Sequence, residues 1–205
     1  MKNLYDAVSH FKSDIYPGLS GLFNELASSQ APNVLFITCS DSRVVPSLIT
    51  DASPGELFVL RNVGNIVPPA EQAGDGESAV LEYAVKALGV GHIVVCGHSN
   101  CGAMHGVVSP GNLATLPHVA GWLKNADETA QKIKESLPEA DEATRWKAAI
   151  ELNVVSQLDN VRSYSFVADA LEAGSLQLHG WVYDIAAGEV VDYDSERGRF
   201  VEYEG

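Results

Sequence analysis

Apolar residues recur at Leu4, Val8, Phe11 and Ile15, so the chain is predicted to open with an amphipathic helix. Pro17-Gly18 is expected to break it, and Ser20 to cap a second short helix carrying Leu22, Phe23 and Leu26. The pattern then changes. Val34-Leu35-Phe36-Ile37-Thr38 is a continuous apolar run, which suits a strand buried on both faces. Leu57 to Leu60 and Ile93 to Cys96 read as two more strands. Between them, Ser78 to Leu88 has a helical pattern and stops at Gly89. Beyond Gly111 the pattern is mostly helical. Its longest candidate runs from Glu142 to Asn160, with Trp146, Ile150, Val154 and Leu158 on one face. A further helix covers Phe166 to Ala173 and ends at Gly174. Leu176 to Tyr183 reads as a fourth strand, and Val190-Val191 and Phe200-Val201 as short strands about a turn near Arg197-Gly198.

Strands alternating with helices predict an α/β fold, with a mainly parallel central sheet, flanking helices and an antiparallel C-terminal edge. The 205 residues contain no internal repeat or low-complexity linker, and this length fits one domain, 1–205. It divides into an N-terminal helical arm (1–29), a half carrying the candidate chemistry (30–111), and a helical segment with the C-terminal strands (112–205). Ligands in such folds gather beyond the carboxyl ends of the strands.

Charge narrows the function classes. There are 13 Lys+Arg against 27 Asp+Glu, a formal charge of −14, which argues against a nucleic-acid partner because that needs a basic footprint. The same acidity disfavours anionic membranes, and no apolar run approaches spanning length. Met1-Lys2-Asn3-Leu4-Tyr5-Asp6 leads into a polar amphipathic segment rather than the apolar stretch of a secretory signal. Three cysteines are a poor count for a disulfide framework. The expected location is the reducing cytoplasm, where thiols are free to bind metal.

Two of the expected strand ends carry metal-type residues. Cys39-Ser40-Asp41-Ser42-Arg43 follows the first, and His98-Ser99-Asn100-Cys101 follows the third. Cys39, His98 and Cys101 offer zinc two thiolates and one imidazole. A fourth position is left for water or for Asp41, and an open position is the mark of a catalytic zinc. Cys96 leaves an alternative: with Cys39, His98 and Cys101 it would close a structural site. Its place at the end of an apolar strand favours a core thiol. Asp41 has two uses beside such a metal. It can take the fourth position, or Arg43 can hold it by charge-assisted hydrogen bonds so that it accepts a proton and orients the nucleophile. Two thiolates make zinc a weaker Lewis acid than three imidazoles, which bring bound water to a pKa of roughly 7. Activity is therefore expected to climb through mildly alkaline pH. Gly102-Ala103-Met104 is expected to start a helix, so the Gly102 N–H is available to a product oxygen.

Cys39-Ser40-Asp41-Ser42-Arg43, Arg61-Asn62-Val63-Gly64-Asn65 and Gly97-His98-Ser99-Asn100-Cys101-Gly102 together resemble the β-class carbonic anhydrases. The match extends from about Gln30 to Val108 and resumes at His179-Gly180-Trp181-Val182-Tyr183. It is nearest to the plant-type branch, which includes the bacterial carbonic anhydrase that accompanies cyanase. The resemblance implies reversible hydration of CO2 to bicarbonate and a proton by zinc-bound hydroxide, with one Zn2+ per subunit. It makes Cys39, His98 and Cys101 the zinc ligands, and Asp41 and Arg43 a catalytic dyad. It places Gln30, Phe58, Val63 and Tyr83 around the substrate: Gln30 as an amide donor to a charged oxygen, Phe58 and Val63 as an apolar wall, Tyr83 as a shaping residue. It also implies a homodimer or higher homo-oligomer, with the N-terminal helix from Leu4 to Ile15 as a candidate arm around the partner. Another branch has an inhibitory bicarbonate site built from Trp, Arg and Tyr. Arg61 and Tyr183 match two of these, but Phe36 replaces the Trp and removes an indole donor. That argues against the regulation and for a resting site with Asp41 held by Arg43.

The remaining histidines count for less. His10 is expected in solvent, and His92 and His179 in strands. His105 and His118 are candidates for proton relay, with packing or surface roles the simpler expectation. Two other functions fit parts of the pattern. One is hydrolysis of carbonyl sulfide or carbon disulfide on the same fold. The other is a non-catalytic zinc-stabilised assembly module, which would not need the Asp41-Arg43 pair or Gln30.

Overall fold

The computed structural model describes residues 3–72 and 74–202. Met1 and Lys2 of the opening segment and the last three residues of the expected 1–205 domain lie outside the described residues. The opening apolar stripe folds as a helix, but Pro17-Gly18 does not break it. Helix α1 (Leu4–His10), a π-helical turn (Phe11–Ile15) and α2 (Tyr16–Leu26) follow without interruption. In the π turn the Tyr16 N–H reaches back to the Phe11 carbonyl. Pro17 therefore falls in the first turn of α2, where its missing N–H is not required. Ser20 lies inside α2 rather than capping it, and its hydroxyl donates to the Pro17 carbonyl at 3.0 Å.

Strand β1 (Val34–Cys39) is buried from Leu35 to Cys39, as its unbroken apolar run requires. The chain continues through α3 (Pro46–Ile49), β2 (Leu57–Asn62) and α4 (Asp75–Glu82). α4 starts three residues before Ser78 and runs on through a second π turn (Tyr83–Leu88) to Gly89. Next come β3 (His92–His98), α5 (Gly102–Val108), α6 (Pro117–Trp122) and α7 (Asp127–Ser136). The long helix α8 (Glu142–Arg162) begins where the Asp141 carboxylate accepts the Thr144 N–H at 2.8 Å. Then α9 (Ser165–Glu172) leads to β4 (Gln177–Asp184), β5 (Glu189–Asp194) and β6 (Arg199–Glu202).

The six strands form one sheet in the order β2-β1-β3-β4-β5-β6. β2, β1, β3 and β4 are parallel, while β5 and β6 are the antiparallel edge. From β1 the chain goes to one side for β2 and to the other for β3. The crevice beyond the carboxyl ends of β1 and β3 is thus the topological switch point, where such sheets bind ligands.

On one face of the sheet Leu35, Ile37, Ile93 and Val95 pack with Leu81, Val154, Leu158 and Val167 in a fully apolar core. α8 lies against β3 and β4. It comes close because Gly97 and Gly180 have no side chains: a Cβ at Gly180 would sit 2.8 Å from Leu158, and one at Gly97 2.9 Å from Val154. The other face is thinner. Phe36, Val94 and Cys96 pack with Trp181. An open cavity of about 860 Å³ lies between this face and Leu22 and Leu26 of α2. α1 and α2 bury no residue, and Leu4, Tyr5, Val8, Phe11 and Ile15 are exposed. Among the described residues no helix is long and apolar enough to cross a membrane.

Candidate metal centre

β1 and β3 end side by side, and each delivers a ligand at its last residue. Cys39 closes β1 and His98 closes β3. Ser99 and Asn100 turn the chain, with Asn100 at φ 56°, a left-handed conformation that Asn tolerates. Cys101 then forms the N-cap of α5. The sulfurs of Cys39 and Cys101 and a ring nitrogen of His98 all lie within 4.8 Å of one another, and all three residues are buried.

The donors are prepared for a cation. His98 Nδ1 donates to the Ser99 carbonyl at 2.9 Å, which fixes the tautomer and leaves a lone pair on Nε2. That Nε2 is buried without a hydrogen-bond partner. An orphaned buried nitrogen beside two thiols fits a metal ion. Hydrogen bonds from the Cys101 thiol and from the Gly64 and Asp41 backbones lower the Cys39 pKa to about 4 against the effect of burial. The same sulfur–sulfur bond, with burial, pushes Cys101 up. Of the two sulfurs, the surroundings thus favour ionisation at Cys39. Two sulfurs and an imidazole suit zinc and leave one tetrahedral position open.

Asp41 stands at the mouth of this cluster, its Oδ2 3.8 Å from His98 Nε2. Arg43 grips it from three atoms: Nε donates to Oδ1 at 2.9 Å, Nη2 to Oδ2 at 2.7 Å, and the backbone N–H to Oδ1 at 3.0 Å. The guanidinium beside it holds the Asp41 carboxyl well below the usual carboxylate range. Arg43 Nη2 also donates to the Asn100 carbonyl at 3.2 Å, which ties the dyad to the turn between His98 and Cys101.

Cys96 lies outside the cluster. It packs with Phe36 and Val94 on the thin face of the sheet, and its thiol donates to the Gly97 carbonyl at 3.3 Å. Burial pushes that thiol up to about 12, the state of a neutral core group.

Several residues that hold the site together were given no such role by the sequence. Arg61, matched above only to an anion site, donates from Nε to the Cys39 carbonyl at 3.1 Å and from Nη2 to the Asp41 carbonyl at 2.7 Å. It straps down the segment that carries both residues. Asn62 closes the following loop through the Ile66 N–H at 2.8 Å and carbonyl at 2.7 Å. Trp146 Nε1 donates to the Cys101 carbonyl at 2.8 Å. The one signal in the sequence is the polar row Asn153, Gln157 and Asn160, which falls on one face of a helix beside an apolar row.

The expected substrate residues divide. Val63 is exposed directly before Gly64, whose N–H donates to Cys39 Sγ at 3.4 Å, so it borders the cluster. Gly102 is the exposed first residue of α5, next to Cys101. Phe58 and Tyr83 instead pair with each other, ring centroids 5.9 Å apart. Phe58 is in register with Leu35, four residues before Cys39, roughly 13 Å along the strand. Within one chain they are not brought to the cluster. Gln30 is exposed in the connection that enters β1 at the end opposite Cys39.

Among the histidines, His105 packs at a tilt against Trp146, ring centroids 4.6 Å apart, and bonds Glu142 at 2.9 Å, a packing role. His10 faces solvent beside Asp14 at 3.1 Å, and His118 is exposed on α6. His92 Nδ1 and His179 Nε2 share a hydrogen bond of 3.1 Å at the far end of the sheet.

Comparison with known proteins gives one answer. The profile of the family described as Carbonic anhydrase matches residues 34–190. A protein of Pseudomonas aeruginosa named carbonic anhydrase is 52% identical over 201 residues, covering 98% of this chain and 91% of its own. The solved structure of the β-carbonic anhydrase CcaA superposes with a TM-score of 0.95 at 40% identity, covering 98% of each chain. One of two tetrameric β-carbonic anhydrases of Sordaria macrospora superposes with a TM-score of 0.80 at 33% identity, covering 92% of each chain.

Proposed function

We infer, from the premise that this chain belongs to the β-carbonic anhydrase family, how its residues divide the work of that enzyme. The chain is a zinc-dependent carbonate dehydratase that interconverts CO2 and bicarbonate. The carbonyl sulfide and assembly-module readings are not favoured beside relatives that carry the carbonic anhydrase name. Cys39, His98 and Cys101 hold the zinc, and their convergence on one buried point carries the reading. When bound, the metal acidifies a water and so supplies the nucleophile for CO2.

The rest is done by side chains. Asp41 accepts a proton at Oδ2 and orients the nucleophile from the side of His98. Arg43 keeps that carboxylate charged and fixed, because three of its N–H groups are spent on it. The Gly102 N–H, at the head of α5, faces a product oxygen, and Val63 gives an apolar wall to a small apolar substrate. Gln30 donates its amide to an oxygen that gains charge, and does so only across a subunit contact, since it stands at the opposite end of β1 from its own Cys39. Phe58 and Tyr83 serve a pocket only across a subunit contact, since Phe58 stands well down β2 from its own Cys39 and Tyr83, in the π turn after α4, pairs with it. A homodimer or larger homo-oligomer is supported by the exposed apolar row of α1 and by the tetrameric relative. The proposed location is the cytoplasm.

Stopped-flow CO2 hydration tests this. The wild-type chain is expected to accelerate the reaction, and Asp41→Ala to lower kcat/KM by about 100-fold, the low end for lost acid–base catalysis, with zinc retained. Wild-type and variant rates both at the uncatalysed level would refute it.

A further inference from the structure

The Gly64 N–H is one of the groups bonded to Cys39 Sγ, at 3.4 Å. It belongs to the same peptide unit as the Val63 carbonyl. That carbonyl accepts the indole N–H of Trp122 at 2.7 Å. A continuous chain therefore runs from indole N–H to carbonyl, through the peptide, and from amide N–H to sulfur. Each bond in such a chain polarises the next.

The following peptide is held as firmly. Asn153 Nδ2 donates to the Gly64 carbonyl at 3.0 Å, and both residues are buried. Asn153 Oδ1 accepts from Gln157 Nε2 at 3.0 Å, and Gln157 Oε1 accepts the Val67 N–H at 2.8 Å. The backbone partners fix the direction of both amides, so the loop has no alternative pairing. Gly64 itself has φ +88°, and a Cβ there would stand 2.9 Å from that of Ala103. The loop is thus pressed onto the site with Trp122 on one side of Gly64 and Asn153 on the other.

We propose that Trp122 is a positioning residue for the metal centre, which aims and polarises the Gly64 N–H so that it draws electron density from the Cys39 thiolate. Zinc held by two thiolates is a weakened Lewis acid. A strong donor on one sulfur offsets part of that weakening, and Trp122 sets the strength of the donor without touching metal or substrate. The inference rests on Cys39 being a metal ligand.

Cobalt(II) in place of zinc makes the thiolate bond visible. In Trp122→Phe the thiolate-to-cobalt charge-transfer band is expected to move to longer wavelength, because the sulfur becomes more electron-rich. With zinc bound, kcat/KM for CO2 is expected to fall about five-fold, the size of one net hydrogen bond, and its pH profile to shift to the alkaline side. If Trp122→Phe does not fold, replacing Trp122 with benzothienylalanine removes the N–H and keeps the ring size. A lower melting temperature with the band and the pH profile both unmoved would reduce Trp122 to packing and overturn the proposal. A wild-type cobalt protein with no thiolate band would instead remove Cys39 as a ligand, and the relay with it.

Discussion

Cys39 and Cys96 carry the same group and behave oppositely because of their neighbours. Cys39 is surrounded by donors and held near 4, while Cys96 sits among Phe36 and Val94 and is pushed up to about 12. Only the first is available as a thiolate at neutral pH. Cys96→Ser is therefore expected to keep bound zinc near one per chain by elemental analysis; loss of the metal would restore the closed four-ligand site. Asp41 follows the same logic with a different partner. Arg43 lowers its pKa, so the charged carboxylate is the form the fold favours. The stabilisation it gives is complete above its unfolded value of about 3.9, and is lost only as pH falls through the lower folded value. Asp41 stays ionised through the working range, and rate profiles of the wild type from about pH 5 upward should show no limb that Asp41→Asn removes.

At the scale of elements, the strand ends do the assembly. β1 and β3 each end on a ligand, Arg61 at the end of β2 straps the segment from Cys39 to Asp41, and α8 fixes the loop behind Cys39. The beginnings of the strands carry a second device. His92 on β3 and His179 on β4 share one hydrogen bond, which needs one neutral ring as acceptor. Burial first, and then the charge of His92, lower the His179 pKa; Asp192 on β5 opposes them. The fold thus prefers neutral His179. The stability this represents is complete above the ordinary value of about 6.5, and is lost as pH falls through the folded value. Asp192, raised by burial, acts with the opposite sign in a more acidic window. The melting temperature is expected to drop as pH is lowered from about 7 to 5, and His179→Gln to flatten that drop. An equal drop in the variant would locate the pH dependence elsewhere.

At the scale of the molecule, the unpartnered N-terminal helices stand out. α1 and α2 bury nothing, and Leu4, Tyr5, Val8, Phe11 and Ile15 form an exposed apolar row. A contiguous exposed row of this kind marks an interaction surface. Light scattering on a chain lacking residues 1–16 should give a smaller assembly than the full chain; an unchanged mass would exclude the arm. How much of this was legible beforehand differs by kind of residue. The apolar runs of β1 and β3, the periodicity of α8 and the ligand triplet were readable, because burial and coordination select residue types at local spacings. Pro17 misled, since a π turn placed it where no donor is needed. Trp122 was silent, Arg61 stood in a motif without its strapping role, and Asn153 showed only within a polar row, because each acts on a backbone carbonyl that sequence does not locate. Phe58 and Tyr83 matched a pocket that their own chain does not bring to them. The sequence by itself determined which side chains can bind a metal and which segments are strands. Only the tertiary structure decided that β1 and β3 are neighbours with their ends at the switch point, because strand order is set by how the whole sheet packs and not by any local pattern.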